Sequence, residues 1–184
     1  MAQNGSVYFD TAAFAAAGLR YGKLDPSKVG DTELIAEGEG ALSSADTSSE
    51  KRQPADFVLW KRSKQGEPEW DAPWGKGRPG WHIECVAMSL DVLGDGFDLH
   101  GGGTDLVFPH HTNERAEAIA AGRHFARHWM HNAMLNIDGE KMSKSLNNFR
   151  TIQDLLDEHP LNGRALRLLL LQTHYRKTME INAD

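Results

Sequence analysis

One cysteine, one histidine and one glutamate are of residue types that bind metal ions, although these three alone are a weak signal for a metal site. Cys85 is the only cysteine in the 184 residues. His110 and Glu114 stand four residues apart, a spacing that brings two side chains to one face of a helix. A helix N-terminus favours neutral imidazole and ionised carboxylate, the forms that bind metal ions. Thiolate, imidazole and carboxylate are zinc ligands, although three residues leave one of zinc's four positions open.

Ordinary structural roles compete with this interpretation. A lone cysteine is most often a small buried apolar residue. His110 can cap its helix, and Glu114 can be a solvated charge, because such pairs are common on helix surfaces. Cys85 nevertheless lies about 200° around the predicted helix from Ile83, at roughly 100° per residue, and so away from the apolar stripe. It shares a face with Trp81, and this position off the stripe weakens the interpretation of Cys85 as a core residue.

Two further segments can bind a phosphorylated or small polar ligand. Three glycines follow His100 at the end of a predicted strand and lead to Asp105. Glycines there let a ligand approach the backbone, and a tight turn explains them equally well. Residues 141–145 (KMSKS) carry two ammonium groups and two hydroxyls without an acid, a composition that can neutralise charge on a phosphate. By composition alone this segment is an ordinary exposed basic loop.

The elements that must position these residues follow from apolar periodicity. Apolar residues between 83 and 93 recur at helical spacing, which predicts a helix from Trp81 to a stop at Gly94. Further helices are predicted at 11–18, 109–121 and 162–177, and strands at 7–9, 97–100 and 129–137. Residues 57–60 fit a strand or a helix turn, and the proline- and glycine-rich residues 68–80 fit an irregular loop. The alternation of strands and helices predicts an α/β fold with parallel strands.

Composition limits the class of protein. Hydrophobic residues make up 40% and charged residues 25% of the chain, values typical of one globular domain or one with a small appendage. Apolar runs such as residues 168–171 are far too short to span a bilayer and no signal peptide is visible, so we expect a cytoplasmic protein without a membrane partner. A lone cysteine excludes an intrachain disulfide and fits a reducing compartment. A formal charge of −6 argues against non-specific coating of nucleic acid.

Taken in chain order, these segments resemble the cysteinyl-tRNA synthetase family, which belongs to the class I aminoacyl-tRNA synthetases. Residues 141–145 are the class I KMSKS signature, letter for letter. The blocks GWHIEC (80–85), FDLHGGG (97–103), DL (105–106) and FPHH (108–111) look like the central blocks of the family, in its order and spacing. KMSKS alone marks the class, and its combination with the other blocks makes the resemblance specific to the family. The resemblance runs from about Val7 to the C-terminus.

The resemblance implies a zinc site and a pocket for substrate cysteine. The zinc ligands would be Cys85, His110 and Glu114, with one Zn²⁺ per catalytic domain. In the family, zinc binds the thiolate of the substrate directly, which rejects serine because a hydroxyl is a poor zinc ligand. The cysteine pocket would be lined by Trp81, His100 and Asp105.

The resemblance also implies an ATP site, with Mg²⁺ accompanying the nucleotide. Lys141 and Lys144 would be catalytic, because they would neutralise charge that develops on the reacting phosphate and the leaving pyrophosphate. The residues that bind ATP would be His100, Ser143 and Lys144.

In domain terms the resemblance implies an internal fragment, the second half of a Rossmann-like catalytic domain. Residues 1–56 would be a remnant of the connective insertion with a flexible linker at 38–50. Residues 57–150 would complete the catalytic domain, and 151–184 would begin a helical region that contacts the tRNA stem. The family's HIGH motif and fourth zinc ligand lie nearer its N-terminus, and this sequence contains neither His-x-Gly-His nor a second cysteine. The isolated chain is therefore expected to be incomplete and inactive.

The implied activity is that of a cysteine–tRNA ligase, an enzyme of protein biosynthesis. It would activate cysteine with ATP to cysteinyl-adenylate and transfer it to tRNA(Cys), and the full-length protein would be a monomer. One alternative is the related ligase that joins cysteine to an amino sugar in mycothiol synthesis, because it shares the zinc site and KMSKS loop. The other is a truncated, non-catalytic paralogue that binds zinc or tRNA. An anticodon-binding domain would indicate tRNA and exclude the first alternative.

Overall fold

The computed structural model of the chain describes residues 5–38, 50–143, 148, 151–159 and 161–181. These residues fall into two compact units. The first unit contains residues 1–100 and 105–129, and the second contains 101–104 and 130–184. The linker predicted at 38–50 lies almost entirely outside the described residues, and the domain boundaries predicted at 56 and 150 remain predictions.

An antiparallel sheet begins the first unit. Its strands are β1 (Val7–Phe9), β2 (Phe57–Arg62) and β3 (Gly77–Pro79), paired in the order β1-β2-β3. Phe9 lies opposite Phe57, and Trp60 lies opposite Pro79. The strand predicted at 7–9 is confirmed, and the ambiguous residues 57–60 form a strand. The prediction of parallel strands is wrong for this sheet.

The prediction that residues 68–80 are wholly irregular is also wrong, because Gly77–Pro79 form β3. A side chain at Gly77 would overlap the carbonyl oxygen of Lys61, so glycine permits the close approach of β3 to β2. In the described sheet β3 lies at the edge, where a proline that cannot donate a ladder hydrogen bond is tolerated.

The described residues of the first unit also form the helices α1 (Thr11–Ala16), α2 (Thr32–Gly38), α3 (Trp81–Leu93) and α4 (Thr112–Ala120). A single 3-10 turn (Pro26–Lys28) precedes α2. Helix α3 has the predicted bounds, and Gly94 ends it with a φ of 83°, a conformation that glycine adopts without steric cost. Helix α1 ends two residues before the predicted stop at Gly18, which has a φ of 77°.

Helix α4 starts later than predicted. Residues Val107–His111 form one wide turn in which Phe108 is extended, with φ −140° and ψ 131°. The chain passes through this wide turn before regular α-helical hydrogen bonding is established, so the regular helix begins after Pro109. It begins at Thr112, whose hydroxyl donates to the carbonyl of Val107 at 2.8 Å.

Two apolar clusters pack against α4. The first joins β1, α1 and β2 to the helix and contains the buried residues Phe9, Phe14, Phe57 and Ala116. The second joins α3 and the following segment to the helix and contains Val86, Phe97, Ala118 and Phe125. Burial of one phenylalanine side chain stabilises a fold by roughly 1.5–3 kcal/mol. Because Ala116 and Ala118 belong to different clusters, α4 is the element around which the first unit is packed.

Replacing Gly80 with alanine is expected to destabilise the first unit by about 2–3 kcal/mol, a typical cost of overpacking. The amide of Gly80 donates to the carbonyl of Leu59 at 2.9 Å, and an added Cβ would overlap the carbonyl oxygen of Val58. Urea denaturation would measure the loss. Gly101→Ala is the matched control, because its Cβ would lie at an ordinary 3.6 Å from the Met130 oxygen. Equal midpoints for the two variants would contradict the prediction.

Strands outside the first sheet form two small sheets. Strands β4 (Leu99–Gly103) and β5 (His128–Asn132) pair with each other, and β6 (Leu135–Ile137), β7 (Glu140–Lys141) and β8 (Met179–Ile181) pair in the order β7-β6-β8. Strand β6 is antiparallel to β7 and parallel to β8. The described part of the chain therefore has a mixed α/β fold that contains a parallel pair of strands. The prediction of an α/β fold is confirmed, and the prediction of parallel strands holds for this pair.

The strand predicted at 129–137 is two strands, β5 and β6. The amide of Ala133 donates to the carbonyl of Tyr175 at 2.7 Å, and the amide of Met179 donates to the carbonyl of Met134 at 3.0 Å. Because these residues bond to a distant segment, the run is interrupted between Asn132 and Leu135.

In the part of the second unit that the structure describes, the helices are α5 (Ile152–Glu158) and α6 (Asn162–Gln172). Thr151 and Asp154 form a reciprocal cap at the start of α5, which satisfies two amides of the first turn. Helix α6 ends at Gln172, before the predicted Lys177, because Thr173 has an extended backbone. No helix in the described part of the chain is both long and apolar enough to cross a membrane.

Candidate functional site

Helix α3, the wide turn before α4 and α4 itself bring Cys85, His110 and Glu114 together. The sulfur of Cys85, a ring nitrogen of His110 and a carboxylate oxygen of Glu114 all lie within 4.8 Å of one another. His110 and Glu114 are buried, and Cys85 is partly buried. His110 Nε2 is 3.1 Å from Glu114 Oε1, the contact that their spacing of four predicts. Three donors of the types that zinc prefers thus converge on one point.

Glu114 also belongs to a second group of possible ligands. His100 Nε2 is 2.9 Å from Glu114 Oε2, and ligand atoms of His100, His111 and Glu114 all lie within 4.8 Å of one another. Each carboxylate oxygen of Glu114 therefore faces a different histidine. His111, which is buried, was not among the residues predicted from the sequence.

Charge at the centre resides on Glu114 rather than on Cys85. Burial raises the pKa of Glu114, but contacts with His100 and His110 outweigh it and lower the pKa to about 2. Burial, reinforced by the negative charge of Glu114, raises the pKa of the Cys85 thiol to about 11. The thiol is therefore neutral at pH 7, and a divalent cation must displace its proton to bind. A buried carboxylate beside a thiol and two imidazoles is a donor set that fits such a cation.

Trp81 forms one wall of this centre. Its ring stacks on His110 with centroids 4.0 Å apart and an interplanar angle of 25°. Trp81 is 48% exposed, so one face covers the histidine while the rest of the side chain is open to solvent. Trp81 is therefore a half-exposed side chain in direct contact with the buried His110.

His82 is a partner of His110 that the sequence analysis missed. The two Nδ1 atoms lie 2.7 Å apart, and both rings are buried. Burial lowers the pKa of His82 to about 3, and the neighbouring His110 adds to the effect. The two residues are 28 positions apart, so no local spacing could have indicated the pair.

Glu117 is a second missed residue. It lies one turn after Glu114 on α4 and is 4% exposed. Neither of its carboxylate oxygens has a hydrogen-bond partner among the described residues. Burial, and then the charge of Glu114, raise the pKa of Glu117 to about 9, which keeps it neutral at pH 7. The spacing of three from Glu114 was the available signal, because it places both carboxyls on one helix face.

The remaining predicted site residues lie elsewhere. Asp105 is exposed in the turn Thr104–Leu106 and belongs to neither ligand group. Lys141 and Ser143 lie in the second unit, where the side chain of Asn148 accepts from the Ser143 amide at 2.8 Å and donates to the Lys141 carbonyl at 3.2 Å. Lys144 lies outside the described residues.

Comparisons with known proteins agree on one family. The family model described as "tRNA synthetases class I (C) catalytic domain" matches residues 1–184. Among curated relatives, "Cysteine--tRNA ligase, cytoplasmic" of Mus musculus is 54% identical over 100% of this chain and 22% of its own length. The Dictyostelium discoideum protein of the same name is 51% identical over 98% of this chain and 27% of its own. "Cysteine--tRNA ligase" of Petrotoga mobilis is 48% identical over 100% of this chain and 36% of its own.

The chain thus spans between about a fifth and two fifths of the length of these relatives. A solved LeuRS from Agrobacterium radiobacter, in a ternary complex with tRNA, has a TM-score of 0.44 and 16% identity over 68% of this chain and 18% of its own. That likeness is too weak to carry an argument.

Proposed function

The chain belongs to the tRNA synthetases class I (C) catalytic domain family, and on this premise we propose that it takes part in the ligation of cysteine to tRNA. The reaction would be ATP-dependent activation of cysteine to cysteinyl-adenylate, followed by transfer to tRNA(Cys) in the cytoplasm. The names of relatives about 50% identical over nearly the whole chain support the substrate class. In this proposal the protein uses ATP with Mg²⁺ and one zinc ion.

One observation carries the proposal, the convergence of Cys85, His110 and Glu114 within 4.8 Å. A zinc ion held by these residues would supply a soft Lewis acid for the thiolate of substrate cysteine. His110 and Glu114 would contribute the ligand atoms that already face each other, and Cys85 would lose its proton. A site of this kind favours cysteine over serine because serine's hydroxyl is the poorer ligand.

The residues around the centre would bind and orient the amino acid. We propose that Trp81 covers the metal-binding histidine and lines the pocket, because it stacks on His110 and remains half exposed. His100 would hold Glu114 from the opposite side through the 2.9 Å contact and would reach the substrate or ATP. Asp105 would complete the wall of the cysteine pocket.

ATP would be bound by the loop that contains Lys141, Ser143 and Lys144. We propose that the two lysines neutralise charge that develops on the phosphate as cysteine attacks and pyrophosphate departs. The side chain of Asn148 holds the backbone at Lys141 and Ser143, which restricts the base of this loop. Neither lysine has an acidic neighbour within the KMSKS sequence.

The test is cysteine-dependent exchange of pyrophosphate into ATP by the full protein that contains this chain. Lys144→Ala is expected to lower the exchange rate about 100-fold, the usual cost of removing one charge-stabilising donor, while zinc content is unchanged. Lys177→Ala, an exposed lysine in the same unit, is the matched control. Exchange that does not require cysteine, or that is unaffected by Lys144→Ala, would contradict the proposal.

A further inference from the structure

We infer that His82 is a positioning residue that sets the tautomer and the orientation of His110 for metal binding. The inference rests on the proposed function, since it concerns the same centre, and it assigns a role to a side chain that is not one of the ligands. The observation behind it is the 2.7 Å distance between His82 Nδ1 and His110 Nδ1.

Two facing ring nitrogens at this distance must share one proton. A pair of lone pairs would repel, and two N–H groups would clash, so one ring donates and the other accepts. Which ring donates is decided by what the outer nitrogen of His110 does, because a neutral imidazole has one proton to place.

The outer nitrogen of His110 is the one that faces the ligand group. His110 Nε2 lies 3.1 Å from Glu114 Oε1, so Nε2 is the atom that would coordinate a metal. A coordinating Nε2 needs a free lone pair, which places the single proton of His110 on Nδ1. His82 must then accept that proton at its own Nδ1 and carry its proton on Nε2. The His82 ring is therefore the acceptor that permits the ligand form of His110.

Burial makes this acceptor difficult to replace. His82 is 3% exposed and His110 is 5% exposed, so water is not freely available to accept from His110 Nδ1. The rings on either side restrict movement: Trp81 stacks on His110, and Phe57 packs edge-on against His82 with centroids 5.6 Å apart. Without His82, the N–H of His110 would be left buried and unpaired, and the ligand tautomer would be disfavoured.

A pair of variants separates this role from simple packing. His82→Leu fills the site with an apolar side chain but removes the nitrogen that accepts from His110 Nδ1. His82→Asn instead places an amide oxygen near the position of His82 Nδ1. His128→Leu, at an exposed histidine of β5, is the matched control. Each variant would be made in the full protein, and its zinc affinity measured by competition with a chromophoric chelator.

We expect His82→Leu to bind zinc about 10–100-fold more weakly than wild type, the usual cost of losing a partner that orients a metal ligand. His82→Asn is expected to recover most of that loss, and His128→Leu to show none. Nitrogen-15 NMR of the zinc-loaded wild type should show His110 protonated at Nδ1 and His82 protonated at Nε2.

The outcomes distinguish the inference from the proposed function. Wild-type protein that binds zinc while His82→Leu binds it equally well, or NMR that shows His82 protonated at Nδ1, overturns the role of His82 alone. The NMR measurement needs only wild-type protein, so it decides the point even if a variant fails to fold. Wild-type protein that binds no zinc would overturn both the metal centre and this inference.

Discussion

Replacing Cys85 with serine is expected to lower the zinc affinity of the protein by more than 100-fold, since losing a ligand should cost more than the 10–100-fold typical of an outer partner. Cys85 supplies the only thiol in the chain, and its sulfur lies within 4.8 Å of the other two donor atoms. Serine keeps the size of the side chain but offers a hydroxyl, which is a weaker ligand for zinc than thiolate. Chelator competition would measure the affinity. Cobalt substitution would report the thiolate through its charge-transfer absorption.

The second ligand group supplies the control for this experiment. His111→Gln removes a histidine of the group His100, His111 and Glu114 without touching Cys85. If the metal is held by Cys85, this variant should keep both zinc and the thiolate–cobalt band. If Cys85→Ser keeps zinc and His111→Gln loses it, the metal is bound by the group His100, His111 and Glu114. That result would contradict the proposed centre.

Replacing Glu117 with glutamine is expected to stabilise the protein by up to about 4 kcal/mol at pH 7.5, and by little near pH 5. Burial and the charge of Glu114 raise the pKa of Glu117 from a usual value of 4.5 to about 9. The folded state must therefore keep a proton that the unfolded state releases above its own pKa. The free energy of unfolding keeps its full value below pH 4.5, where Glu117 is protonated in both states. It then falls by about 1.4 kcal/mol per pH unit up to about pH 9. Glutamine removes this dependence.

Urea denaturation between pH 5 and 8.5 would test the Glu117 prediction. A chelator in every sample would keep a metal ion from neutralising Glu114, whose charge contributes to the shift at Glu117. Glu84→Gln, at an exposed position on α3, would control for the loss of one negative charge from the protein. Parallel stability curves for wild type and Glu117→Gln over this pH range would refute the assignment of a buried neutral carboxyl.

Local signals in the sequence were sufficient for some of the fold. The apolar spacing in α3 and the stop at Gly94 are properties of neighbouring residues, so the helix could be predicted with its correct bounds. The contact between His110 and Glu114 follows from a spacing of four. The start of α4 is predicted at Pro109, a favoured first-turn residue, whereas residues 107–111 form a wide turn and the regular helix begins at Thr112.

Other features depend on pairs of residues that are distant in the chain. Strand β3 exists because Gly77 fits against Lys61, and β5 and β6 separate because Ala133 bonds to Tyr175. No window of local sequence contains both members of these pairs. The approach of Cys85 to α4 is of the same kind. The residue types made it a hypothesis, and the family resemblance made it a specific prediction. Residues without a role in that resemblance, such as Glu117, were accordingly overlooked.

The position of α4 between two apolar clusters has a consequence for mutational tolerance. Six of the seven residues from 112 to 118 are buried, Arg115 being the exception. Alanines at 116 and 118 face different clusters, while Glu114 faces the ligand histidines. A substitution in α4 that alters the contacts of Glu114 with the histidines is therefore expected to disturb the packing of the neighbouring alanines as well. Variation during evolution or in a directed library should be tolerated least in this short helix and far more readily in the exposed residues between β2 and β3.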